Sequence, residues 1–512
     1  MIIYWIAGNG TYQATTWEHC EKRDLISGLP DALIGHILSF LTTKEAASTS
    51  VLSTKWRHLF AFVSNLDLDD SIYVDPLKKV ISTRIRGAPI LLEEYAPNYI
   101  STSFTDFVDR VLALQGDSSI HKFSLKIEDG DNHVDPTRVF DWILNVLQRG
   151  GASDLNLYMA LEMDPVIPSK IFSTETLVKL KLSGTIIHVE DVYLPKLKTL
   201  YLGSVNFLNH GLGLTKLLSG CHMLEDLVLD SLNWFLWKFV SFSNPKCVSF
   251  DTPNLVYLEF TDATANNYPK VNFDSLVEAK IDLKASFQGS FSQGFEDYGF
   301  MGNATAFVRR ICNVKIFYLS SDTLEELTFC CESIPLFINL THLSIESNPK
   351  VGWESLPGLL KNSPNLETLV LQGLVHKSTY RCGDVCLCKP CEDKEKEIPT
   401  SLSSSPVKVL KVLKFGEIFD DHDIDEQINQ VKHFLQTMPN LEQLVLYYDP
   451  SFKENVTKVT TELQKFPRVA SRKCEIQLIS DDLYLSSRWG SSPSLEEPDW
   501  VFSGDFCQLY EE

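Results

Sequence analysis

A six-residue apolar pattern recurs along this chain and restricts its fold more than any other feature of the sequence. The pattern is Leu-x-x-Leu-x-Leu, with other apolar residues accepted, as in residues 177–182 and 197–202. Each copy predicts a short strand whose later apolar positions point into the core while the residues between them point out. Further copies begin at Leu224, Leu255, Leu324, Leu340, Leu366, Leu410 and Leu441, with weaker ones at Ile120 and Leu276.

The copies require one another because a single copy cannot bury its own apolar face. Stacked copies predict a curved parallel sheet with helices or loops on its outer side. From Leu177 to Leu276 the copies start 20, 27, 31 and 21 residues apart. These spacings are irregular, but they lie around the usual period of leucine-rich repeats. The alternative is a general α/β protein with leucine-rich strands, which rarely produces so many matches. We predict an α/β fold with an irregular leucine-rich-repeat solenoid over residues 120–399.

A compact helical segment precedes the repeats. Leu33, Ile34, Ile37, Leu38 and Leu41 recur at helical spacing and form one apolar stripe. Two further short helices are predicted before residue 68. Three short helices in roughly 40 residues cannot bury all of these groups by themselves. Part of the stripe is therefore expected to meet a partner or the neighbouring domain.

The order of residues in this segment resembles an F-box of the plant type. The string is Leu29-Pro30-Asp31, Ile34, Ile37-Leu38-Ser39-Phe40-Leu41 and Ser50-Val51-Leu52-Ser53-Thr54-Lys55-Trp56-Arg57. The resemblance implies that residues 24–70 dock an adaptor of the Skp family, which is itself bound to a cullin scaffold. A cap for the solenoid is the alternative, but a cap has no reason to carry the whole string. The docking residues implied are Leu29, Pro30, Ile34, Ile37, Leu38, Leu41, Val51, Leu52 and Trp56.

Residues 400–480 are predicted to form strand, helix, strand, helix and strand. The first helix, over residues 424–438, carries an apolar face that begins at Ile424 and ends at Met438. This order resembles the FBD module that ends many plant F-box proteins. The remaining ranges are a disordered leader (1–23), a linker or first irregular repeat (71–119) and an acidic tail (481–512).

Four cysteines lie within ten residues: Cys382, Cys386, Cys388 and Cys391. Four thiolates can bind zinc tetrahedrally, but zinc sites usually place their cysteines in pairs with a different spacing. The preferred interpretation is an exposed loop with reduced thiols and no metal. Zinc is the weaker candidate, and a redox-sensitive disulfide is weaker still.

Charge and missing motifs narrow the classes of function. The formal net charge of −21 disfavours binding to nucleic acids and to anionic membranes. The sequence has no phosphate-binding glycine loop, dinucleotide fingerprint, His-Glu-x-x-His or Gly-x-Ser-x-Gly motif. We expect no catalytic residue and no cofactor. Without a signal peptide or a long apolar run, we expect a nuclear or cytoplasmic protein.

The resemblance implies a non-enzymatic subunit of an SCF-type (Skp–cullin–F-box) ubiquitin ligase, which holds a protein substrate close to a charged conjugating enzyme. Two alternatives remain open: an interaction scaffold outside any ligase, and a receptor in which a small ligand completes the substrate site. Strand alternation predicts substrate contacts on the concave face. The candidates are Lys181, Tyr201, Val228, Tyr257, Glu259, His342, Val370 and Val445, with Glu326 and Thr328 on the strand predicted over residues 324–329.

Overall fold

The computed structural model describes most of the chain between residues 28 and 481. The described residues are 28–52, 54–60, 63–70, 99–128, 134–160, 165–208, 211–232, 247–265, 267–284, 303–329, 331, 333–379, 381–387, 401–417, 424–449, 453–466 and 474–481. The predicted leader, nearly all of the acidic tail, and Cys388 and Cys391 lie outside these ranges.

One open sheet of fourteen strands organises the described residues. The strands are β1 Asn65–Asp69, β2 Lys122–Ile127, β3 Asp154–Met159, β5 Lys179–Ser183, β7 Thr199–Gly203, β9 Asp226–Asp230, β11 Tyr257–Ala263, β13 Glu278–Lys284, β14 Ile316–Leu319, β15 His342–Glu346, β16 Thr368–Gln372, β17 Val409–Phe415, β18 Gln443–Tyr448 and β19 Glu475–Ser480. They stand side by side in chain order, and every neighbouring pair is parallel. This arrangement confirms the predicted α/β solenoid.

Short strands form two small parallel sheets beside the main one. The first contains β4 Val166–Ile167, β6 Ile186–Ile187 and β8 Asn206–Phe207, and the second contains β10 Phe250–Asp251 and β12 Val271–Asn272. The turns after β5, β7 and β9 use left-handed residues, namely Gly184, Ser204 and Ser231. The backbone N–H of each of these residues donates to a carbonyl of the next strand in the sheet. The hydrogen bonding between neighbouring strands therefore continues into the turn.

Eleven helices are described. They are α1 Asp31–Leu38, α2 Thr43–Thr49, α3 Thr54–Phe60, α4 Tyr99–Gln115, α5 Pro136–Gln148, α6 Gly211–Ser219, α7 Thr305–Arg310, α8 Ser321–Phe329, α9 Leu356–Lys361, α10 Ile424–Thr437 and α11 Lys453–Lys465, with a 3₁₀ turn at Ser169–Ser173. Within the described ranges, no helix has the length and apolar character needed to cross a bilayer. One continuous apolar core runs from Ile34 to Cys474 and includes the sheet's leucine face.

One predicted strand is wrong. Residues 324–329 lie in α8, where Leu324 and Leu327 are buried one helical turn apart. The Ser320 hydroxyl accepts a hydrogen bond from the Thr323 N–H at 3.1 Å and supports the start of this helix. The strand that fills this place in the sheet is β14.

Glu326 and Thr328 are therefore not substrate-facing strand residues. The Glu326 carboxylate is buried and accepts a hydrogen bond from the Thr264 hydroxyl at 2.7 Å. The Thr328 hydroxyl is bonded to the Ser355 hydroxyl. Both side chains connect the helix to neighbouring segments, so the structure removes them from the candidate surface.

The sheet extends beyond the predicted repeat range at both ends. Strand β1 follows α3 within a few residues, and the Asp67 N–H donates to the Thr43 hydroxyl of α2 at 2.6 Å. At the other end β17, α10, β18, α11 and β19 form the predicted order of strand, helix, strand, helix and strand, and all three strands join the main sheet. The domain boundaries themselves stay a prediction.

Candidate functional site

The three N-terminal helices pack into a small unit, with α3 in contact with both α1 and α2. Helix α2 begins with a capping box: the Glu45 N–H donates to the Thr42 hydroxyl at 3.3 Å, and the Thr42 N–H donates to the Glu45 carboxylate at 3.1 Å. The Lys55 ammonium on α3 donates to the Leu29 carbonyl and pairs with Asp31 at the start of α1. These contacts fix α3 against the beginning of α1.

Two apolar stripes run side by side along α1. Ile34 and Leu38 form the first, and both are fully buried against the unit's core together with Trp56. Leu33 and Ile37 form the second, which remains exposed. Because successive residues of a helix are about 100° apart, neighbouring positions in the sequence reach different surroundings.

An apolar docking patch results from the second stripe and the turns beside it. Its six members are large hydrophobic side chains that are exposed in the part of the chain that the structure describes: Leu33, Ile37, Phe40, Leu41, Val51 and Leu52. Val51 and Leu52, directly after α2, are 83% and 67% exposed. Single exposed hydrophobics are ordinary, whereas six within 20 residues are a candidate interaction surface.

The predicted docking residues divide into three groups. Pro30, Ile37, Leu41, Val51 and Leu52 are exposed, and Leu29 is partly buried. Ile34, Leu38 and Trp56 form the third group, which is buried in this unit, and their predicted role in docking stays a prediction.

Leu33 and Phe40 are patch members that were missing from the predicted docking set. Leu33 belongs to the apolar stripe of α1, and Phe40 belongs to the ordered string, so both signals were present in the sequence. The role of the exposed residues in docking stays a prediction.

The open face of the sheet, opposite the leucine face, carries the predicted substrate residues. Lys181, Tyr201, Val228 and Glu259 are direct neighbours in register across β5, β7, β9 and β11. The Tyr257 hydroxyl donates to the Glu259 carboxylate at 2.9 Å, which also pairs with Lys280 at 2.8 Å. The structure therefore brings five of the eight candidates, including Tyr257, into one polar cluster.

The predicted substrate residues differ in how much of each side chain is exposed. Val228, Tyr257, Val370 and Val445 are buried between their neighbours, so their own side chains offer almost no contact surface. Substrate contact by those four residues stays a prediction. Lys181, Tyr201, Glu259 and His342 keep partial exposure.

Acidic groups give the cluster its electrostatic character. Burial raises the pKa of Asp226, Asp230 and Glu278 above that of an ordinary carboxyl group. Burial also raises the pKa of Tyr201, with a smaller contribution from the nearby Asp230 and Glu259 charges. The cluster thus offers neutral phenol hydroxyls and carboxylates as hydrogen-bonding groups for a polar or basic ligand.

His342 lies further along the same face, with its ring 5.9 Å from that of Tyr318. Its Nε2 atom is buried and has no hydrogen-bond partner among the described residues. Burial lowers the pKa of His342 to about 4, and the charge of Lys411 adds to the effect.

The structure also forms a group of potential metal ligands. Of the four predicted cysteines, Cys382 and Cys386 are described, and both are buried rather than on an exposed loop. His376 joins them, and its ligand atom and the two sulfurs lie within 4.8 Å of one another. The spacing of the cysteines gives no indication of His376, because this residue comes close to the two sulfurs only in the folded chain.

Comparison with known proteins identifies the family to which this chain is similar. The F-box domain family matches residues 26–67. The chain is 57% identical over 483 residues to the F-box/LRR-repeat protein At4g14096 of Arabidopsis thaliana, covering 91% of this chain and 97% of that protein. It is 56% identical over 500 residues to the putative F-box protein At1g58310 (91% and 98% covered) and 46% identical over 482 residues to the putative F-box/FBD/LRR-repeat protein At3g59240 (90% and 90%), both of Arabidopsis thaliana.

Proposed function

This chain belongs to the F-box/LRR-repeat family of plants, and we propose that it is the substrate-recognition subunit of an SCF-type ubiquitin ligase. The docking patch binds an adaptor of the Skp family, and the adaptor connects the chain to a cullin scaffold. The chain contributes no chemical step. It acts by holding a protein substrate near a charged conjugating enzyme, which raises the effective concentration of the reacting groups.

The docking patch is the observation that carries this proposal. Fully burying a leucine or valine side chain is worth about 1.5–3 kcal/mol relative to leaving it exposed. Leu52 exposes 67% of its surface, so covering it contributes about 1–2 kcal/mol. A partner that covers the whole patch gains enough from it to explain why the chain leaves these side chains in water.

The adaptor test compares exposed residues at two places in the fold. We expect Leu52→Ala to raise the Kd for a Skp-family adaptor about tenfold, because roughly 1.4 kcal/mol corresponds to a factor of ten. Leu212→Ala is the matched control, because Leu212 on α6 is 70% exposed and outside the patch. Binding of the full chain to purified adaptor would be measured by calorimetry. An unchanged Kd for folded Leu52→Ala, or an equal loss in the control, would contradict the proposal.

A second comparison separates docking from folding. Trp56→Ala removes a buried side chain and is expected to destabilise the helical unit by about 3–5 kcal/mol. Val51→Ala removes an exposed one, so it is expected to leave thermal stability unchanged and to weaken adaptor binding. If Val51→Ala lowers stability as Trp56→Ala does, this division between core and patch is wrong.

We propose the open face around Tyr201 as the surface for the substrate. Tyr201 and Lys181 are adjacent in register and partly exposed, and aromatic side chains contribute disproportionately to binding energy. Proximity labelling with proteasome activity blocked would compare the wild type with Tyr201→Ala. Substrates are expected to be lost while the adaptor is retained. Tyr193→Ala is the control, because Tyr193 is exposed outside the main sheet. Equal substrate labelling by Tyr201→Ala and the wild type would exclude this surface.

A further inference from the structure

The connection between β16 and β17 is held in place although its described part contains no helix or strand. Val375, Cys382, Val385 and Cys386 are all buried. Long connections without secondary structure are uncommon in compact folds, and those that occur are usually either functional or disordered. The side chains that converge in this connection are His376, Cys382 and Cys386.

Hydrogen bonds from outside fix the backbone that carries the two cysteines. The His433 Nε2 atom of α10 bonds the Asp384 carbonyl at 2.7 Å, and the Gln430 side chain donates to the Val385 carbonyl at 2.7 Å. The Leu402 N–H donates to the Asp384 carboxylate at 2.8 Å. The turn from Cys382 to Cys386 is therefore positioned by neighbouring elements, which lowers the ordering cost of binding a ligand.

His376 is oriented by two contacts of the kind that support metal-binding histidines. Its ring stacks on Trp353 with 3.9 Å between centroids and 8° between planes. Its Nδ1 atom lies 3.2 Å from the Leu374 carbonyl oxygen, so Nδ1 carries the proton when it donates this hydrogen bond. That tautomer places the lone pair on Nε2, and such a carbonyl partner is typical of histidine ligands.

We propose that His376, Cys382 and Cys386 bind a zinc ion when both cysteines are reduced. Thiolate and imidazole ligands suit zinc, whereas magnesium and calcium prefer oxygen. Two thiolates and one neutral imidazole balance the 2+ charge, which suits a buried position. A fourth ligand, water in the simplest case, completes the tetrahedron.

A disulfide at Cys386 competes with the metal. Cys386 is disulfide-bonded in the structure, whereas Cys382 is a free thiol. The other described cysteines are also free thiols. A thiol reductant supplies two electrons and two protons, breaks the S–S bond and is itself oxidised to a disulfide. Zinc then displaces one proton from each of Cys382 and Cys386. Metal occupancy of the connection therefore depends on the redox state.

Zinc competition with a chromogenic chelator tests the site in the full chain under a phosphine reductant. We expect one tightly bound zinc per chain, with affinity rising about 100-fold per pH unit below the thiol pKa because two protons are released. Cys382→Ser is expected to lower the affinity by about 100-fold or more. Cys247→Ser is the matched control, because Cys247 is an exposed free thiol elsewhere. The oxidised chain is expected to lose tight binding.

Cobalt substitution keeps the test decisive if a variant fails to fold. Reduced wild-type chain is expected to show the sulfur-to-cobalt charge-transfer absorption of a tetrahedral thiolate site, and zinc should protect Cys386 from alkylation. The proposal is overturned if reduced wild type binds zinc no more tightly than folded Cys382→Ser, or if the cobalt band is absent. It is also overturned if the oxidised chain binds zinc equally well, because the Cys386 sulfur is then not a ligand.

Discussion

His342 is a partly exposed histidine whose Nε2 atom is buried and whose surroundings oppose its protonation. On β15 it lies in register between Ile316 and Thr368, and across the same face it meets the Tyr318 ring. The Nε2 atom has no partner among the described residues, and the nearby Lys411 is positively charged. A proton added at Nε2 therefore gains no hydrogen bond from the described residues and is repelled by the charge of Lys411.

The sign and size of the effect follow from the pKa. The pKa of His342 is lowered from 6.5 to about 4 in the folded chain, mainly by burial. As pH falls below 6.5 the unfolded chain takes up the proton first, so the free energy of unfolding decreases until pH falls below the folded pKa. At pH 5 this difference amounts to about 2 kcal/mol.

Urea unfolding at pH 7.5 and at pH 5 would measure this loss. His342→Gln removes the titrating group, so we expect the variant to lose about 2 kcal/mol less stability than the wild type between the two pH values. His222→Gln is the control, because His222 is exposed and is expected to behave as the wild type does. Distant carboxylates affect the stability of the wild type and of the variant equally at each pH, so their contributions cancel when the two proteins are compared.

Two results would refute this reasoning. One is equal acid sensitivity of the wild type and His342→Gln when both are folded at pH 7.5. The other is an NMR titration in which the His342 ring takes up its proton near pH 6.5, the value of an ordinary histidine. Either result would mean that water or an anion reaches Nε2 and that burial does not control its charge.

Three further substitutions test contacts in the fold by chemical denaturation. Gly184→Ala places a Cβ 2.0 Å from the Met159 carbonyl oxygen at a φ of +64°, so we expect a loss of about 1–3 kcal/mol, and an unchanged stability would contradict that turn. Glu326→Ala leaves the Thr264 hydroxyl without its acceptor and should cost about 1–3 kcal/mol, whereas a neutral result would place Glu326 in solvent. Thr42→Ala removes the capping box and should cost about 1 kcal/mol, with Thr42→Ser expected to restore it.

The sheet could be predicted from the sequence because strands alternate with a period of two. The prediction failed at residues 324–329 because Leu324 and Leu327 are three apart, a spacing shared by the repeat pattern and a helix. The strand that was missed fits the same pattern through Val314, Phe317 and Leu319. Only tertiary packing selects between two such adjacent matches.

The composition of the docking surface was harder to predict than its position. The sequence marks the apolar residues of α1, but Ile34 and Ile37 look alike in any pattern of hydrophobicity. The packing of the other helices decides that Ile34 is covered and Ile37 is not. His376 was missed for a similar reason, because its approach to Cys382 depends on how the connection folds back against Trp353.

The direct succession of α3 and β1 has a geometric consequence. The three helices share one core with the first strand, and the Asp67 N–H donates a hydrogen bond to the Thr43 hydroxyl, so the helical unit packs directly against the edge of the sheet. Neighbouring strands are about 4.8 Å apart, so positions from β7 to β13 lie about 20 to 35 Å along the sheet from β1. Under the proposed function, the strand at which a substrate binds determines the distance between the substrate and the docked adaptor, so we expect the strand position to influence which substrate lysines are modified.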